Sequence, residues 1–107
     1  MAITYKVLGQ VAPAITSETD LYAASSAAVA SSIIVCNRGT SQSTFRVSIS
    51  VNGAATTTKD YIYYDLIIAG NDTFIATIGV TLATGDVVRV YASSNRLSFS
   101  LYGSEVS

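Results

Sequence analysis

The side chains that most often carry out catalysis are nearly absent from this chain. Its 107 residues include no histidine and one cysteine, so neither a Ser-His-Asp nor a Cys-His arrangement can form within one copy. A zinc site built on histidines is excluded for the same reason. Cys36 ends an apolar run and has no partner for an intrachain disulfide, which predicts a buried structural thiol rather than a nucleophile. We therefore expect a protein that is not an enzyme and that binds no metal or cofactor.

Four aspartates are the remaining candidates for acid-base or metal chemistry. Paired carboxylates can hydrolyse glycosides or bind calcium. The spacing of these four matches no ligand loop, however, and most of them lie beside turns, where aspartate commonly hydrogen-bonds its own backbone. We predict structural roles for all of them, namely Asp60, Asp65, Asp72 and Asp86.

Tyrosine and arginine are the residue types here that are best suited to making contacts. In the segment YIYYD at 61–65, strand alternation predicts Tyr61 and Tyr63 on one face and Tyr64 on the other. Tyrosine serves both protein interfaces and carbohydrate sites, although packing of one aromatic face in the core is the ordinary alternative. The arginines could anchor an interface or be solvated residues that discourage edge pairing. The possible interface residues are Tyr61, Tyr63, Tyr64, Arg38, Arg46 and Arg89, with Arg96 as a further arginine of this kind.

Short segments of alternating polarity must position these residues. In 44–51, Phe45 and Val47 face one way and Arg46 the other. The segment 32–36 is β-branched without alternation, which predicts a strand covered on both faces. The alanine-rich segment 21–30 is the best candidate for a helix, but it lacks a helical apolar stripe and is predicted as strand plus loop.

The whole chain, 1–107, is predicted to be one all-β domain. Turn signals separate the strand segments about every 8–12 residues, which is typical of sandwiches and small barrels. We expect an antiparallel β-sandwich or jelly-roll-like domain of seven or eight short strands. The predicted strands are 4–8, 20–22, 32–36, 44–51, 60–68, 73–80, 86–92 and 97–101.

Composition limits the partners of the chain. Half of the residues are apolar and 12% are charged, against about a quarter charged in ordinary soluble domains. Because the net charge is −1 and the basic residues are scattered, we expect no nucleic-acid binding. No apolar run approaches the ~20 residues of a membrane span, so we expect no association with a membrane. The apolar excess predicts a surface covered by other copies or a partner, unless alanine, serine and threonine simply make a neutral surface.

Seven stretches of the sequence together resemble a known family. They are MAITYKVLGQ at 1–10, TDLY at 19–22, IIVCNRG at 33–39, YIYYD at 61–65, NDTF at 71–74, GDVVRVYAS at 85–93 and LSFSLYGSE at 97–105. They resemble small structural proteins of tailed bacteriophages, including those that infect cyanobacteria. The family pattern often has a proline-containing turn after its Leu-Tyr pair, where this chain has Ala-Ala-Ser at 23–25.

This resemblance implies a virion component with a β-sandwich fold and no enzymatic activity. The first expectation is a capsid decoration or cement protein that stabilises the assembled shell. The alternatives are a tail baseplate, fibre or adaptor subunit, and a host-glycan-binding module. The expected partners are the chain itself, as a homo-oligomer such as a trimer at local threefold positions, and the major capsid protein or tail proteins. The expected location is the virion, assembled in the host cytoplasm.

Overall fold

The computed structural model describes residues 2–106, which form eight strands and two short 3-10 turns. The all-β prediction is confirmed. The 3-10 turns are Val51–Gly53 and Thr58–Asp60. The strands are β1 Ile3–Val11, β2 Thr19–Ala23, β3 Ala28–Asn37, β4 Ser43–Ser50, β5 Tyr61–Ile68, β6 Thr73–Leu82, β7 Val87–Ala92 and β8 Leu97–Val106.

The strands form two four-stranded antiparallel sheets. Sheet I has the order β1-β8-β3-β6, and sheet II has the order β2-β7-β4-β5. The pairs β1 with β8, β2 with β7, β3 with β6 and β4 with β5 are nested, so the chain folds back on itself about its midpoint. Eight strands nested in this way across two sheets make a jelly roll. The predicted antiparallel sandwich is confirmed.

The core lies between the two sheets and has an aromatic cluster within it. The ring of Phe45, from sheet II, has its centroid 5.4 Å from that of Phe74 and 6.0 Å from that of Phe99, both from sheet I. Tyr63 joins them at 6.2 Å. The rings are tilted rather than stacked flat, which is the arrangement that aromatic quadrupoles favour. This cluster therefore ties the two sheets together.

The segment around β3 corrects two of the expectations from sequence. The alanine-rich stretch before it is strand and loop, as predicted. However, β3 alternates, with Ile33 and Val35 fully buried and Ile34 and Cys36 only half-buried on the outward face. The prediction of a strand covered on both faces is therefore wrong for a single chain, and so is the prediction of a buried Cys36. The core covers only one side of a sandwich strand.

Candidate interaction site

Bulges in β5 determine where its tyrosines point. Opposite the single residue Arg46 of β4 lie two residues of β5, Tyr64 and Asp65. Asp65 has the left-handed φ of 51° that such a bulge commonly uses. A second register shift leaves Ile62 as an extra residue in the strand. Each bulge shifts the alternation of side chains by one position.

As a result, the predicted pairing of Tyr61 with Tyr63 on one face is wrong. Tyr63 packs against the core, with its ring 5.3 Å from that of Phe74. Tyr61 and Tyr64 instead contact each other on the outward side of sheet II, edge to face, with their centroids 4.9 Å apart. Of the three tyrosines, these two remain available to a partner.

Arg46 is held among aromatic rings on the same outward side. Its guanidinium carbon lies 4.3 Å from the ring centroid of Tyr64 and 4.4 Å from that of Tyr91, which is a cation–π arrangement on both sides. Its Nε donates a hydrogen bond of 2.6 Å to Asp65 Oδ1. This hydrogen bond raises the pKa of Arg46 above its ordinary value, so the charge is fixed. We call Arg46, Tyr61, Tyr64, Asp65 and Tyr91 the tyrosine–arginine patch.

An open pocket borders the tyrosine–arginine patch. Three consecutive threonines, Thr56 to Thr58, line it together with Tyr61 and Tyr64. Hydroxyl groups that donate and accept hydrogen bonds, beside exposed aromatic rings, suit a sugar ring or a polar loop of another protein. The sequence prediction found the two tyrosines but missed Tyr91 and the threonines, because only the sheet pairing brings them to this place.

Arg89 was predicted as a possible interface residue, but its guanidinium makes hydrogen bonds to other residues of the same chain. Its side chain is 16% exposed and lies beneath the loop 51–60. It therefore anchors that loop to β7. The guanidinium donates to Ser50 Oγ at 3.0 Å, Gly53 O at 3.2 Å, Ala54 O at 2.7 Å, Thr56 Oγ1 at 3.2 Å and Asp20 Oδ1 at 3.0 Å.

We predict that Arg89→Met releases the loop 51–60. Several hydrogen bonds to a charged donor are lost and the two carbonyls lose a partner, so we expect a loss of about 2 kcal/mol in the free energy of unfolding. Trypsin cleavage after the exposed Lys59 should accelerate. Arg96→Met, at an exposed arginine outside the loop, should leave both measurements nearly unchanged. Equal tryptic rates at Lys59 in the two variants would contradict the anchoring role.

Arg38 lies apart from the other two arginines that were predicted as interface residues, Arg46 and Arg89. It follows β3, and its Nε donates to Ser98 Oγ at 2.8 Å while Nη2 donates to Asn95 O at 3.0 Å. Arg46 and Arg89, by contrast, lie on neighbouring strands of sheet II. The predicted interface residues therefore do not form one site, and only the tyrosine–arginine patch is assembled from several of them.

The four aspartates bind local partners. Asp60 accepts the backbone N–H of Thr57 at 2.9 Å, and Asp86 accepts those of Asn52 and Ala83, each at 2.9 Å. Asp72 accepts the N–H of the residue after it, and Asp65 pairs with Arg46 as described. For Asp60, Asp72 and Asp86 these are the structural roles that positions beside turns predict, whereas Asp65 lies within β5 and belongs to the tyrosine–arginine patch. Within residues 2–106, no three His, Cys, Asp or Glu side chains are grouped as a metal site would require.

Glu105 links the two sheets near one end of the sandwich. Tyr22, in sheet II, donates its hydroxyl hydrogen bond to Glu105 Oε2, and Lys6 Nζ lies 3.0 Å from Oε1. The bond from Tyr22, and then that from Lys6, lowers the pKa of Glu105. Backbone hydrogen bonds likewise lower the pKa of Asp60 and of Asp86.

These three carboxylates predict a loss of stability in acid. A carboxyl whose pKa is lower in the folded chain stabilises it above the ordinary value and loses that contribution as the pH falls through the folded value. The ordinary values are 3.8 for aspartate and 4.5 for glutamate. The urea midpoint should therefore decrease once the pH is lowered below about 4.5, and should continue to decrease below pH 3.8. Asp86→Asn should show a smaller acid-induced fall than the parent chain, and an equal fall would contradict the assignment to Asp86.

The outward face of sheet I, which we call face I, differs sharply from that of sheet II. Within residues 2–106, face I contains none of the six basic and seven acidic side chains of the protein. Face II, the outward face of sheet II, carries the four charges of Asp20, Arg46, Asp65 and Arg89. Face I consists of Ile3, Tyr5, Val7, Gln10, Val29, Ser32, Ile34, Cys36, Thr73, Ile75, Thr77, Thr81, Ser98, Ser100, Tyr102, Ser104 and Val106.

No family model matches this chain, and no curated protein matches its sequence. Within residues 2–106, no helix has the length and hydropathy to cross a membrane. The function of the chain is therefore proposed from its own surfaces and from the sequence stretches described above.

Proposed function

We propose that this chain is a non-enzymatic structural subunit of a tailed-bacteriophage particle, and specifically a decoration or cement protein on the capsid. The observation that carries the proposal is face I, a sheet surface without charge that is suited to lasting contacts. The jelly-roll strand order supports it, since capsid proteins are among the proteins built on that arrangement. The resemblance of its sequence to phage structural proteins supports the same assignment.

Such a protein stabilises a shell by mass action. If it binds the assembled capsid but not separated capsid subunits, binding shifts the equilibrium toward the shell. Lasting subunit contacts resemble a protein core divided in two, and are more apolar than transient ones. The low charge of the chain fits this class of contact. Its proposed partners are other copies of itself and the major capsid protein, with assembly in the host cytoplasm.

Particles that lack the protein provide the test. We expect them to release their DNA at lower temperature and after milder osmotic shock than complete particles, and we expect purified protein to restore resistance. An unrelated protein of similar size is the control for the addition. Equal resistance with and without the chain would contradict the proposal. A copy number of a few dozen or fewer per particle would instead support a tail baseplate, fibre or adaptor subunit.

The pocket beside the tyrosine–arginine patch favours a second candidate function, the binding of a host glycan. Exposed tyrosine rings can stack on sugar rings, and the neighbouring threonines can hydrogen-bond sugar hydroxyls. Glycan-array binding that is lost in Tyr64→Ala but kept in Tyr5→Ala, an exposed tyrosine on the other sheet, would support this function. Tyr63 is unsuitable for this test because its ring packs against the core.

A further inference from the structure

We propose that face I is the surface through which two copies of this chain bind each other. The inference rests on the proposed function, in that it names the contact by which a structural subunit associates with itself. It begins from β3, whose run 32–36 has three consecutive β-branched residues at 33–35. One side of that run is buried in the core and the other is half-buried on face I. A second sheet packed on face I would bury both sides.

The lack of charge on face I selects a second copy as the occupant. In a two-fold contact the same patch meets itself, so any charge near its centre would face a like charge. The strands of face I bring none, and Arg38 lies at one end of the face, where its Nε donates to Ser98 Oγ. A partner that presented charged groups here would leave them buried without opposite charges, which is costly.

The size of face I is sufficient for a specific contact. Its strands of nine or ten residues, at about 3.3 Å per residue and about 4.8 Å between strands, make a face on the order of 30 by 15 Å. If both faces are treated as flat, their contact buries on the order of 1,000 Å² in total, and the uneven surface of the side chains adds to this area. A buried area of about 1,000 Å² is the lower limit for a specific interface.

The side chains of face I also permit close approach. The central strand β8 contributes three serines, Ser98, Ser100 and Ser104, which are short and can both donate and accept hydrogen bonds. Larger side chains alternate with them on the two central strands, namely Tyr102 on β8 and Ile34 on β3, and others lie on the edge strands, such as Ile75 at 69% exposed. Stacked sheets lie about 10 Å apart, and the serines leave room between the larger residues for side chains of a second sheet. An isologous contact closes after two copies, so the expected unit is a two-fold pair, alone or within a larger closed assembly.

The test compares two isoleucines that are alike except for the sheet on which they lie. Ile75 is on face I at 69% exposed, and Ile67 is on face II at 63% exposed, each on an edge strand. In sedimentation velocity at tens of micromolar, we expect the parent chain and Ile67→Glu to be dimers or multiples of dimers. We expect Ile75→Glu to be a monomer. Tyr5→Glu is the second variant on face I if Ile75→Glu does not fold.

Cys36 gives an independent measurement, because it lies on face I and is the only cysteine in the chain. Alkylation of Cys36 by iodoacetamide should be slow in the parent chain and faster by about tenfold or more in Ile75→Glu, since dissociation uncovers the thiol. A monomeric parent chain would overturn the inference, as would dissociation by Ile67→Glu but not by Ile75→Glu. Neither result would contradict a virion role, which fails only if particles do not contain the chain or do not depend on it.

Discussion

Phe45→Ala is expected to lower the free energy of unfolding by about 4 kcal/mol, because truncating a buried phenylalanine costs about 3–5 kcal/mol. Phe45 is fully buried, and its ring contacts aromatic rings of both sheets. The substitution therefore removes apolar contacts and leaves a cavity between the sheets. A domain of this size is stable by only about 5–15 kcal/mol, so the loss is a large fraction of the total. Urea unfolding followed by tyrosine fluorescence measures it.

Phe45→Leu is the matched control for this prediction. It keeps most of the apolar volume but removes the ring, so we expect a loss of about 1–2 kcal/mol. This variant also keeps the prediction testable if Phe45→Ala does not fold at all. Two losses of similar size, both below about 1 kcal/mol, would mean that the space between the sheets does not depend on this ring.

The strand segments could be predicted from the sequence because alternation is a local property. Each of the eight predicted segments overlaps one observed strand, and 44–51 differs from β4 by one residue at each end. Strand lengths were underestimated where small residues line the core. The segment 32–36, for example, extends back to Ala28 in β3, since Ala28 and Ala30 are buried without being large or β-branched. The nested order of the strands could not be read in this way, because it depends on pairing between distant parts of the chain.

The candidate site was predicted only in part, for a related reason. Period-two alternation identified Tyr61 and Tyr64 but placed them on opposite faces. The error comes from the bulges, which no residue type in the segment indicates. A bulge with a left-handed φ usually contains glycine at that position, but here the residue is Asp65. Face I could not be predicted from the sequence either, since its uncharged residues come from four strands that are far apart in the chain. The low overall charge predicted that a covered surface exists, but not which one.

Gly103→Ala is the second substitution with a large expected effect. A Cβ atom at Gly103 would lie 1.9 Å from the carbonyl oxygen of Val29 and 3.0 Å from the Cα of Ala30, both in the backbone of β3. Backbone in a central strand cannot yield as a flexible side chain can. We expect a loss of about 3 kcal/mol in the free energy of unfolding, the upper part of the range for overpacking. Thermal and urea unfolding both measure it.

Gly79→Ala separates this steric effect from the general cost of replacing a glycine. Gly79 has a left-handed φ of 57°, but a Cβ there meets no atom within 4 Å. Its replacement should cost only the backbone strain of about 1–2 kcal/mol. Gly103 is not among the glycines with positive φ, so its predicted cost comes from the neighbouring strand alone. Because β8 pairs with β3 at this point and supplies the centre of face I, Gly103→Ala should also weaken self-association. A Gly103→Ala chain as stable as Gly79→Ala would contradict the close approach of these two strands.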